Sequence, residues 1–452
     1  MPAPAPRTAV IGAGPSGLAT CKVLREHGIP VTCFEAGDRV GGQWVLDNPS
    51  GMSSAYRSLR ANTHKGMIRF SDFEAPAAYP DFPSHEQMAA WFADYARHFG
   101  LDEVIRFGAR VTRATRDDDG RWRIEAEQGN GESFDALVAA TGNLWDPLEP
   151  ELPGSFEGDR LHAHDYRDPD LPVSCRGRSV LVIGLGNTGC ELAVELARPG
   201  GAERVLLSAR SGQHIVPRRI GGQLSAPPHP TDRLPWLLQR MPSRLRHRLF
   251  QALAPRIVAR MTGALPKPED LGLPPPPRDP MSKRMVVNDD VLELVRQGRI
   301  EVRPGVRRLD GTKVEFDDGR RDAVDVVLSA TGYRFSLPYL DRELLGCDPD
   351  DLALYQGVMH PRHHDLFVVG VMRALCSIWP RSEQQARWIA GRLTGRFRLP
   401  PQHTIERRAY PILRVPFTNC AFYTADLEAE LGKEADRQGR PTRSEPQASE
   451  AQ

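Results

Sequence analysis

Two glycine-rich segments of the same form constrain this chain more than any other feature of its sequence. The first is Gly12-Ala13-Gly14-Pro15-Ser16-Gly17, and the second is Gly184-Leu185-Gly186-Asn187-Thr188-Gly189. Each follows a short apolar run typical of a buried strand and opens a helix-like stretch. In this pattern the first glycine makes a tight turn, the second lets backbone approach a pyrophosphate, and the third lets the helix pack on the strand. The helix N-terminus then favours the phosphate charge, so the chain is predicted to bind two nucleotides.

The residues after the first glycine motif indicate which nucleotide it binds. The apolar run Val31-Thr32-Cys33-Phe34 ends in Glu35. This carboxylate lies close to the roughly 20-residue spacing at which an acid holds a ribose hydroxyl pair. A carboxylate there also repels a 2′-phosphate. The first motif therefore fits the ADP half of FAD, or NAD.

The second glycine motif is followed by basic and hydroxyl residues instead of an acid. The run Arg204-Val205-Leu206-Leu207 leads into Ser208-Ala209-Arg210-Ser211, and no acid occurs between Arg204 and Asp232. A guanidinium with neighbouring hydroxyls suits a 2′-phosphate through charge-assisted hydrogen bonds. The second motif therefore predicts NADPH, held at its phosphate by Ser208 and Arg210. The alternative is a solvated arginine at the end of a strand.

The composition is that of a globular enzyme, with 40% apolar and 26% charged residues. A formal net charge of +1 provides no bulk field for nucleic acid, and no apolar run approaches the length of a membrane span. The N-terminal residues lack an apolar signal core, so a cytoplasmic location is expected. Seven cysteines occur without a CxxC pair. They predict reduced thiols, with neither a metal site nor the redox pair of a disulfide reductase.

A repeated passage predicts how the two nucleotide domains are arranged. Strand-like runs end in Ala140-Thr141-Gly142 and again in Ala330-Thr331-Gly332, on either side of the second glycine motif. We expect an α/β fold with two Rossmann-like domains, in which an NADPH domain is inserted into a discontinuous FAD domain. The predicted boundaries are 1–168 for the first FAD part, 169–285 for the NADPH domain with a Pro-rich helical insertion, 286–432 for the second FAD part and 433–452 for a disordered tail.

Three further segments carry local predictions. Ser84 and Gln87 predict the start of a helix over 84–99, and alternation around two turn sequences predicts hairpins within 108–139. Residues 236–261 form a basic amphipathic stretch. Such a stretch suits either an anionic membrane surface or a helical pair packed on the protein with its arginines in water. Interrupting prolines and the low net charge favour the second interpretation.

A signature between the two glycine motifs resembles one known family. The run Phe156-Glu157-Gly158-Asp159-Arg160-Leu161-His162-Ala163-His164-Asp165-Tyr166 is similar to the FxGxxxHxxx(F/Y) signature of flavin-containing monooxygenases. The resemblance covers roughly residues 8–430 and extends, in the family's order, to Gly41-Gly42-Gln43-Trp44, residues 62–76, residues 326–340 and residues 382–388. The chain thus looks like a soluble, bacterial-type class B flavoprotein monooxygenase.

The resemblance implies an activity similar to that of N,N-dimethylaniline monooxygenase. NADPH would reduce FAD, O₂ would form a C4a-hydroperoxyflavin, and one oxygen atom would pass to an amine nitrogen or a sulfide sulfur. It also implies that Asn62 is the catalytic residue, because its amide both donates and accepts beside the flavin and NADP⁺. The cofactor-binding residues implied by the motifs and the resemblance are Gly12, Ala13, Gly14, Pro15, Ser16, Gly17, Glu35, Gln43, Trp44, Asn62, Thr63, Gly184, Gly186, Asn187, Thr188, Gly189, Cys190, Glu191, Ser208, Arg210 and Gln385.

Several alternatives stay open at this point. Baeyer–Villiger and N-hydroxylating monooxygenases share both glycine motifs, although Tyr166-Arg167 replaces the tryptophan typical of the ketone-oxidising enzymes. An FAD-binding redox protein without oxygenation is a third possibility. The expected partners are a small nucleophilic substrate and O₂, and the sequence leaves both the substrate and a homodimer undetermined.

Overall fold

The computed structural model describes residues 5–220, 222–225, 241, 243–263, 265–373, 377–414 and 420–438. Two five-stranded sheets, each with all of its strands parallel, organise this part of the chain. Smaller antiparallel sheets and helices surround them. None of the helices described is long and apolar enough to cross a membrane.

The strands of the first part of the chain are β1 (Thr8–Ile11), β2 (Val31–Phe34), β3 (Ile105–Arg106), β4 (Val111–Arg116), β5 (Trp122–Ala126), β6 (Glu132–Phe134), β7 (Ala136–Ala139), β8 (Asp146–Pro147), β9 (Gly154–Phe156), β10 (Asp159–His162), β11 (Ser179–Ile183) and β12 (Arg204–Ser208). The later strands are β13 (Ile215–Val216), β14 (Arg219–Ile220), β15 (Gln223–Leu224), β16 (Val286–Val287), β17 (Glu301–Arg303), β18 (Val306–Gly311), β19 (Lys313–Phe316), β20 (Arg321–Ala323), β21 (Val326–Ser329), β22 (Tyr333–Arg334), β23 (Ala353–Leu354), β24 (Leu366–Val368) and β25 (Tyr410–Pro411). The helices are α1 (Pro15–Glu26), α2 (Lys65–Ile68), α3 (His85–His98), α4 (Asn187–Leu196), α5 (Ser243–Thr262), α6 (Val291–Arg296), α7 (Arg342–Leu345), α8 (Trp379–Leu393), α9 (Gln402–Arg408) and α10 (Cys420–Gln438).

The first sheet has the order β24-β7-β1-β2-β3, with the strand of the first glycine motif at its centre. β1 and β7 are buried along their whole length, as expected for parallel strands covered on both faces. Helix α1 lies against this sheet and packs on α8. The last strand, β24, lies beside β7 although it is far along the chain.

The second sheet repeats this arrangement with the order β10-β21-β11-β12-β17. The strand of the second glycine motif, β11, is again central. The strand that follows the motif helix, β12, lies on one side, and the strand ending near Thr331, β21, lies on the other. In both sheets an antiparallel meander precedes the strand that leads into the Ala-Thr-Gly passage. The two halves of the fold are therefore similar in strand order as well as in motif.

The division of the strands between the two sheets differs from the predicted domain boundaries at 168 and 286. β10 precedes residue 168 and β17 to β21 follow residue 286, yet all of them belong to the second sheet or to the meander attached to it. A Cβ on Gly12 would meet the Ala140 carbonyl, and one on Gly184 would collide with that of Ala330. Each Ala-Thr-Gly passage thus closes on its own glycine motif. The chain passes between the two sheets at the paired strands β8 and β22.

The local predictions for the first half of the chain are confirmed. Ser84 and Gln87 form a capping box at the start of α3, whose apolar face includes Trp91 and Phe92. The predicted hairpins form the meander β4-β5-β6. Helix α1 ends at Glu26 and is followed by Gly28 at a φ of +70°, where a side chain would be strained.

The basic amphipathic stretch is described from residue 243 onward, and residues 236–240 lie outside the described residues. In α5 the buried face includes Ala254 and Val258, and Phe250 packs edge-on against Phe422 of α10 at 5.9 Å. Arg246 forms an ion pair with Asp426 at 2.5 Å. The opposite face is exposed and carries Leu245, Arg248, Leu249, Leu253, Arg256, Ile257 and Arg260. One face of this helix therefore packs on the protein body, and the opposite face is exposed to solvent.

The cysteines correct the expectation of reduced thiols in one place. Among the described residues five cysteines are free, whereas Cys420 is disulfide-bonded. The predicted tail falls partly within α10, which extends to Gln438, and partly outside the described residues.

Candidate functional site

The first glycine motif has the backbone geometry that close approach to a ligand requires. Gly12 has a φ of +101°, and a Cβ on Gly17 would collide with the carbonyl oxygen of Gly12. Both positions therefore exclude a side chain. Helix α1 starts at Pro15 with backbone amides free at its N-terminus, which suits a phosphate.

Glu35 lies at the end of β2, where the sequence predicts a ribose contact. Its carboxylate accepts hydrogen bonds from the backbone N–H groups of Ala13 and Gly37, each at 2.7 Å. Burial raises the pKa of Glu35, while those N–H donors and the charge of Arg110 act in the opposite direction. The carboxylate is thus fixed beside the motif, and it lines the adjoining cavity.

A cavity of about 370 Å³ opens along the first motif. The predicted residues that line it are Gly12, Gly14, Pro15, Ser16, Glu35, Gln43, Trp44, Asn62 and Thr63. Ala13 and Gly17 lie behind this wall as fully packed positions. Sequence reasoning missed Trp379, which also lines the cavity and meets Trp44 edge-on at 5.6 Å. These residues are far apart in the chain and are brought together at the carboxyl end of the first sheet.

The second glycine motif repeats the geometry of the first. Gly184 has a φ of +125°, and a Cβ on Gly189 would collide with the Gly184 carbonyl oxygen. Asn187 begins α4, and its amide oxygen accepts from the N–H of Val287 at 2.8 Å. Gly186 and Thr188 remain partly accessible at the helix start, whereas Cys190 is fully buried. Cys190 therefore packs in the core, and its burial raises the pKa of the thiol.

The end of β12 corrects one predicted phosphate contact. Ser208 is buried, and its hydroxyl donates to the carbonyl oxygen of Pro304 at 2.7 Å. Arg210 is exposed, as a phosphate ligand should be. The exposed hydroxyl beside it is that of Ser211, which accepts from Lys283 at 2.6 Å. Lys283 therefore adds a second cation, which sequence reasoning missed because it is distant in the chain.

A second cavity of about 180 Å³ adjoins the first. It is lined by Asn187 from the second motif and by Arg218 from the connection between β13 and β14. Asn62, Thr63 and Arg284 line both cavities. Asn62, the predicted catalytic residue, thus lies where the two cavities meet. The first cavity lies along the first glycine motif, and the second cavity is lined by Asn187 of the second motif.

Asn62 is held by a charged network. Its amide oxygen accepts from a terminal nitrogen of Arg218 at 2.8 Å, and the same nitrogen donates to Glu191 at 2.8 Å. The other oxygen of Glu191 accepts from the hydroxyl of Tyr56. Burial raises the pKa of Glu191 and of Tyr56. Glu191 was predicted to contact the nucleotide, but both of its carboxylate oxygens are engaged within the protein.

Gln385 supports the cavity wall from behind. Its side chain is fully buried and accepts from the backbone N–H of Gly370 at 3.0 Å, while its amide nitrogen donates to Tyr423 at 2.9 Å. Gly370 lines the first cavity. Gln385, predicted to contact the cofactor, therefore lies behind the cavity wall and supports it through Gly370.

The signature segment at 156–166 packs within the second sheet and against neighbouring loops. Tyr166 is buried, and its hydroxyl donates to Glu195 of α4 at 3.0 Å. His162 ends β10 and meets Tyr333 edge-on at 5.3 Å. Neither residue lines the two cavities, and a structural role for both stays a prediction.

Comparison with known proteins shows the family of this chain. Residues 5–410 match the model of one family, described as flavin-binding monooxygenase-like. Human flavin-containing monooxygenase 1 is 31% identical over 413 residues, covering 88% of this chain and 75% of that protein. Flavin-containing monooxygenase 5 of Rattus norvegicus is 34% identical, with the same two coverages. Dimethylaniline monooxygenase [N-oxide-forming] 4 of the same species is also 34% identical, covering 90% of this chain and 72% of that protein.

Solved structures show the same fold at lower identity. S-allyl-L-cysteine S-oxygenase from Allium sativum superposes with a TM-score of 0.67 at 22% identity, covering 94% of this chain and 88% of that one. The open structure of cyclohexanone monooxygenase gives a TM-score of 0.69 at 21% identity, covering 96% and 98%. Fold, site and relatives together define an oxidoreductase of the flavoprotein monooxygenase class. Within that class, the chain belongs to the flavin-binding monooxygenase-like family.

Proposed function

We propose that this protein is an FAD- and NADPH-dependent monooxygenase that transfers one oxygen atom from O₂ to an amine nitrogen or a sulfide sulfur. The observation that carries the proposal is the meeting of two cavities at Asn62, Thr63 and Arg284. One cavity extends from the first glycine motif and the other from the second. Ligands in the two cavities would therefore come together at these three residues.

The residues of the first cavity fit FAD. The glycine motif and the start of α1 leave room and backbone donors for the pyrophosphate, and the fixed carboxylate of Glu35 suits the ribose hydroxyls. Trp44 and Gln43 then line the remainder of the cavity. When bound, FAD supplies the redox chemistry, since it accepts a hydride from NADPH and in its reduced form reacts with O₂.

The residues of the second site fit NADPH. Arg210, Ser211 and Lys283 would bind the 2′-phosphate through charge-assisted hydrogen bonds, and Asn187 marks the start of α4 beside the second cavity. We propose that the second nucleotide-binding unit spans about residues 154–329 and is connected through the paired strands β8 and β22. The FAD unit would then comprise the chain before and after it.

Asn62 is proposed to be the residue that holds the reacting oxygen. Its amide oxygen accepts from Arg218, which leaves its NH₂ group to donate into the cavities that it lines. A fixed donor in a site from which water is excluded favours oxygen transfer over loss of hydrogen peroxide. The chain supplies this positioning and needs no further acid or base for hydride transfer.

The experiment compares Asn62→Ala with the wild type in NADPH use, oxygenated product and hydrogen peroxide. NADPH oxidation should continue in the variant, while hydrogen peroxide replaces most of the product. Asn130→Ala, in the exposed loop between β5 and β6, is the matched control. An Asn62→Ala enzyme that keeps wild-type coupling would refute the assignment.

The substrate is tested with a panel of small tertiary amines, sulfides and ketones. The name of the rat relative, an N-oxide-forming dimethylaniline monooxygenase, supports amines first. Product formation with amines or sulfides supports the proposal. Turnover of ketones alone would replace it with Baeyer–Villiger oxygenation.

A further inference from the structure

We infer that Arg218 is a positioning residue that fixes the amide of Asn62 and couples it to helix α4. This inference rests on the proposed role of Asn62. One terminal nitrogen of Arg218 carries two hydrogens, and it donates one to Asn62 and the other to Glu191, both at 2.8 Å. A single planar group thereby links the asparagine to the helix that starts at the second glycine motif.

The guanidinium of Arg218 is fixed on several sides. Its other terminal nitrogen lies 3.2 Å from Asp289, and its own backbone N–H donates to Asp289 at 2.7 Å. The ring of Phe82 lies 5.6 Å from the guanidinium carbon. The Arg218 and Glu191 side chains are only 17% and 14% exposed, so solvent and salt screen their ion pair weakly. Tyr56 holds the second oxygen of Glu191.

This fixed cation determines which way the amide of Asn62 faces. A guanidinium donates hydrogen bonds and cannot accept them, so it selects the amide oxygen. The NH₂ group of Asn62 is then the end presented to other partners. Without Arg218 the amide could rotate by half a turn, and either its oxygen or its NH₂ group would then face the cavities.

The contact between Arg218 and Glu191 also links Asn62 to helix α4. Glu191 lies in the first turns of α4, whose start forms the second nucleotide site. Movement of this helix therefore acts on Arg218 directly and on Asn62 through it. The orientation of Asn62 and the occupancy of the second site are coupled by this one side chain.

The test combines activity with NADP⁺ binding to the FAD-loaded protein. NADP⁺ is titrated against the flavin absorbance spectrum in the wild type, Asn62→Ala, Arg218→Ala and the double variant. Arg218→Ala should weaken NADP⁺ binding by about tenfold, the scale of a hydrogen bond to a charged group, and alter the spectral change. The double variant should be no weaker than the weaker of the two single variants, because both changes remove the same interaction. Hydrogen peroxide formation in Arg218→Ala should approach that of Asn62→Ala.

Further variants keep the test decisive if Arg218→Ala fails to fold. Arg218→Lys retains a donor and should recover part of the NADP⁺ affinity, whereas Glu191→Gln should weaken it by loosening Arg218. Arg198→Ala removes an arginine that is 64% exposed and pairs with Asp290 on the surface, and it should behave as the wild type. Additive losses in the double variant, or an unchanged titration in Arg218→Ala, would overturn the inference. If Asn62→Ala alone keeps wild-type coupling, the proposed function of Asn62 fails, and the NADP⁺ titrations still decide whether the two residues are coupled.

Discussion

At the scale of single residues, the two glycine motifs differ in the charge of the side chains that follow them. Glu35 is fixed by two backbone N–H groups, and Arg210 lies exposed beside Ser211 and Lys283. The glycines and Glu35 could be predicted because a turn and a strand end are local in sequence. Lys283 and Arg218 could not, since only the folded chain brings them to their sites.

Arg210→Ala should reduce the preference for NADPH over NADH. The loss should be about 1.5–3 kcal/mol, because one hydrogen-bonded cation at the 2′-phosphate is removed. Steady-state kcat/KM values with both nucleotides measure this preference. Lys283→Ala should shift it in the same direction, and kcat/KM for NADH should stay nearly constant in both variants. A preference unaffected by either change would place the 2′-phosphate elsewhere.

At the scale of secondary-structure elements, helix α3 shows which features a short stretch of sequence is enough to predict. The hydroxyl of Ser84 accepts from the Gln87 N–H at 3.3 Å, and the Gln87 side chain accepts from the Ser84 N–H at 3.0 Å. The same helix buries Trp91 and Phe92 in the hydrophobic core around the first sheet. Its start and apolar face are both encoded within a few residues, and this is why the sequence predicted them. The short strands β13 to β16 carry no comparable pattern, because they form only through pairing between distant segments.

Ser84→Ala should lower the free energy of unfolding by about 1 kcal/mol, since it leaves the first-turn N–H groups of α3 without their side-chain acceptor. Urea unfolding followed by tryptophan fluorescence measures the change, because Trp91 lies in this helix. Ser84→Asn, which keeps an acceptor, is the control and should stay close to the wild type. Equal losses in both variants would show that the cap itself contributes nothing.

At the scale of the whole molecule, the two sheets share one strand order, and the sequence revealed the two motifs without revealing the boundary between them. The Ala-Thr-Gly passages are nearly identical in sequence. Only their pairing shows that Ala140 closes on Gly12 and Ala330 on Gly184. Strand pairing across such distances is not encoded locally. The sequence therefore predicted the α/β class but not where the two sheets divide, which differs from the predicted boundaries at 168 and 286.

Stability should fall as the pH is lowered from about 6.5 towards 4, in part through His360. Burial lowers the pKa of His360 to about 4, so the unfolded chain takes up a proton in this range and the folded chain does not. The full contribution is on the order of 3 kcal/mol. Unfolding at several pH values in the wild type and in His360→Asn measures it. Asparagine keeps an acceptor for the N–H groups of Arg362 and His363, which His360 now binds at 3.2 and 3.1 Å.

The difference in unfolding free energy between pH 7 and pH 5 should be smaller in His360→Asn than in the wild type. Buried carboxyl groups with raised pKa values act in the opposite direction, but they are common to both proteins and cancel in the comparison. Parallel pH profiles for the two proteins would show that His360 titrates normally.

The position of β24 has a consequence for the order in which this protein is made. The first sheet starts with β1 near the N-terminus, yet the edge beside β7 is completed only by Leu366–Val368. The ribosome needs roughly 230 further residues after β7, or on the order of 10–50 s, to supply that strand. The second sheet is complete once β21 has been synthesised. During translation the inner half can therefore fold first, while the β7 edge of the half begun earlier stays open to chaperones and to other nascent chains.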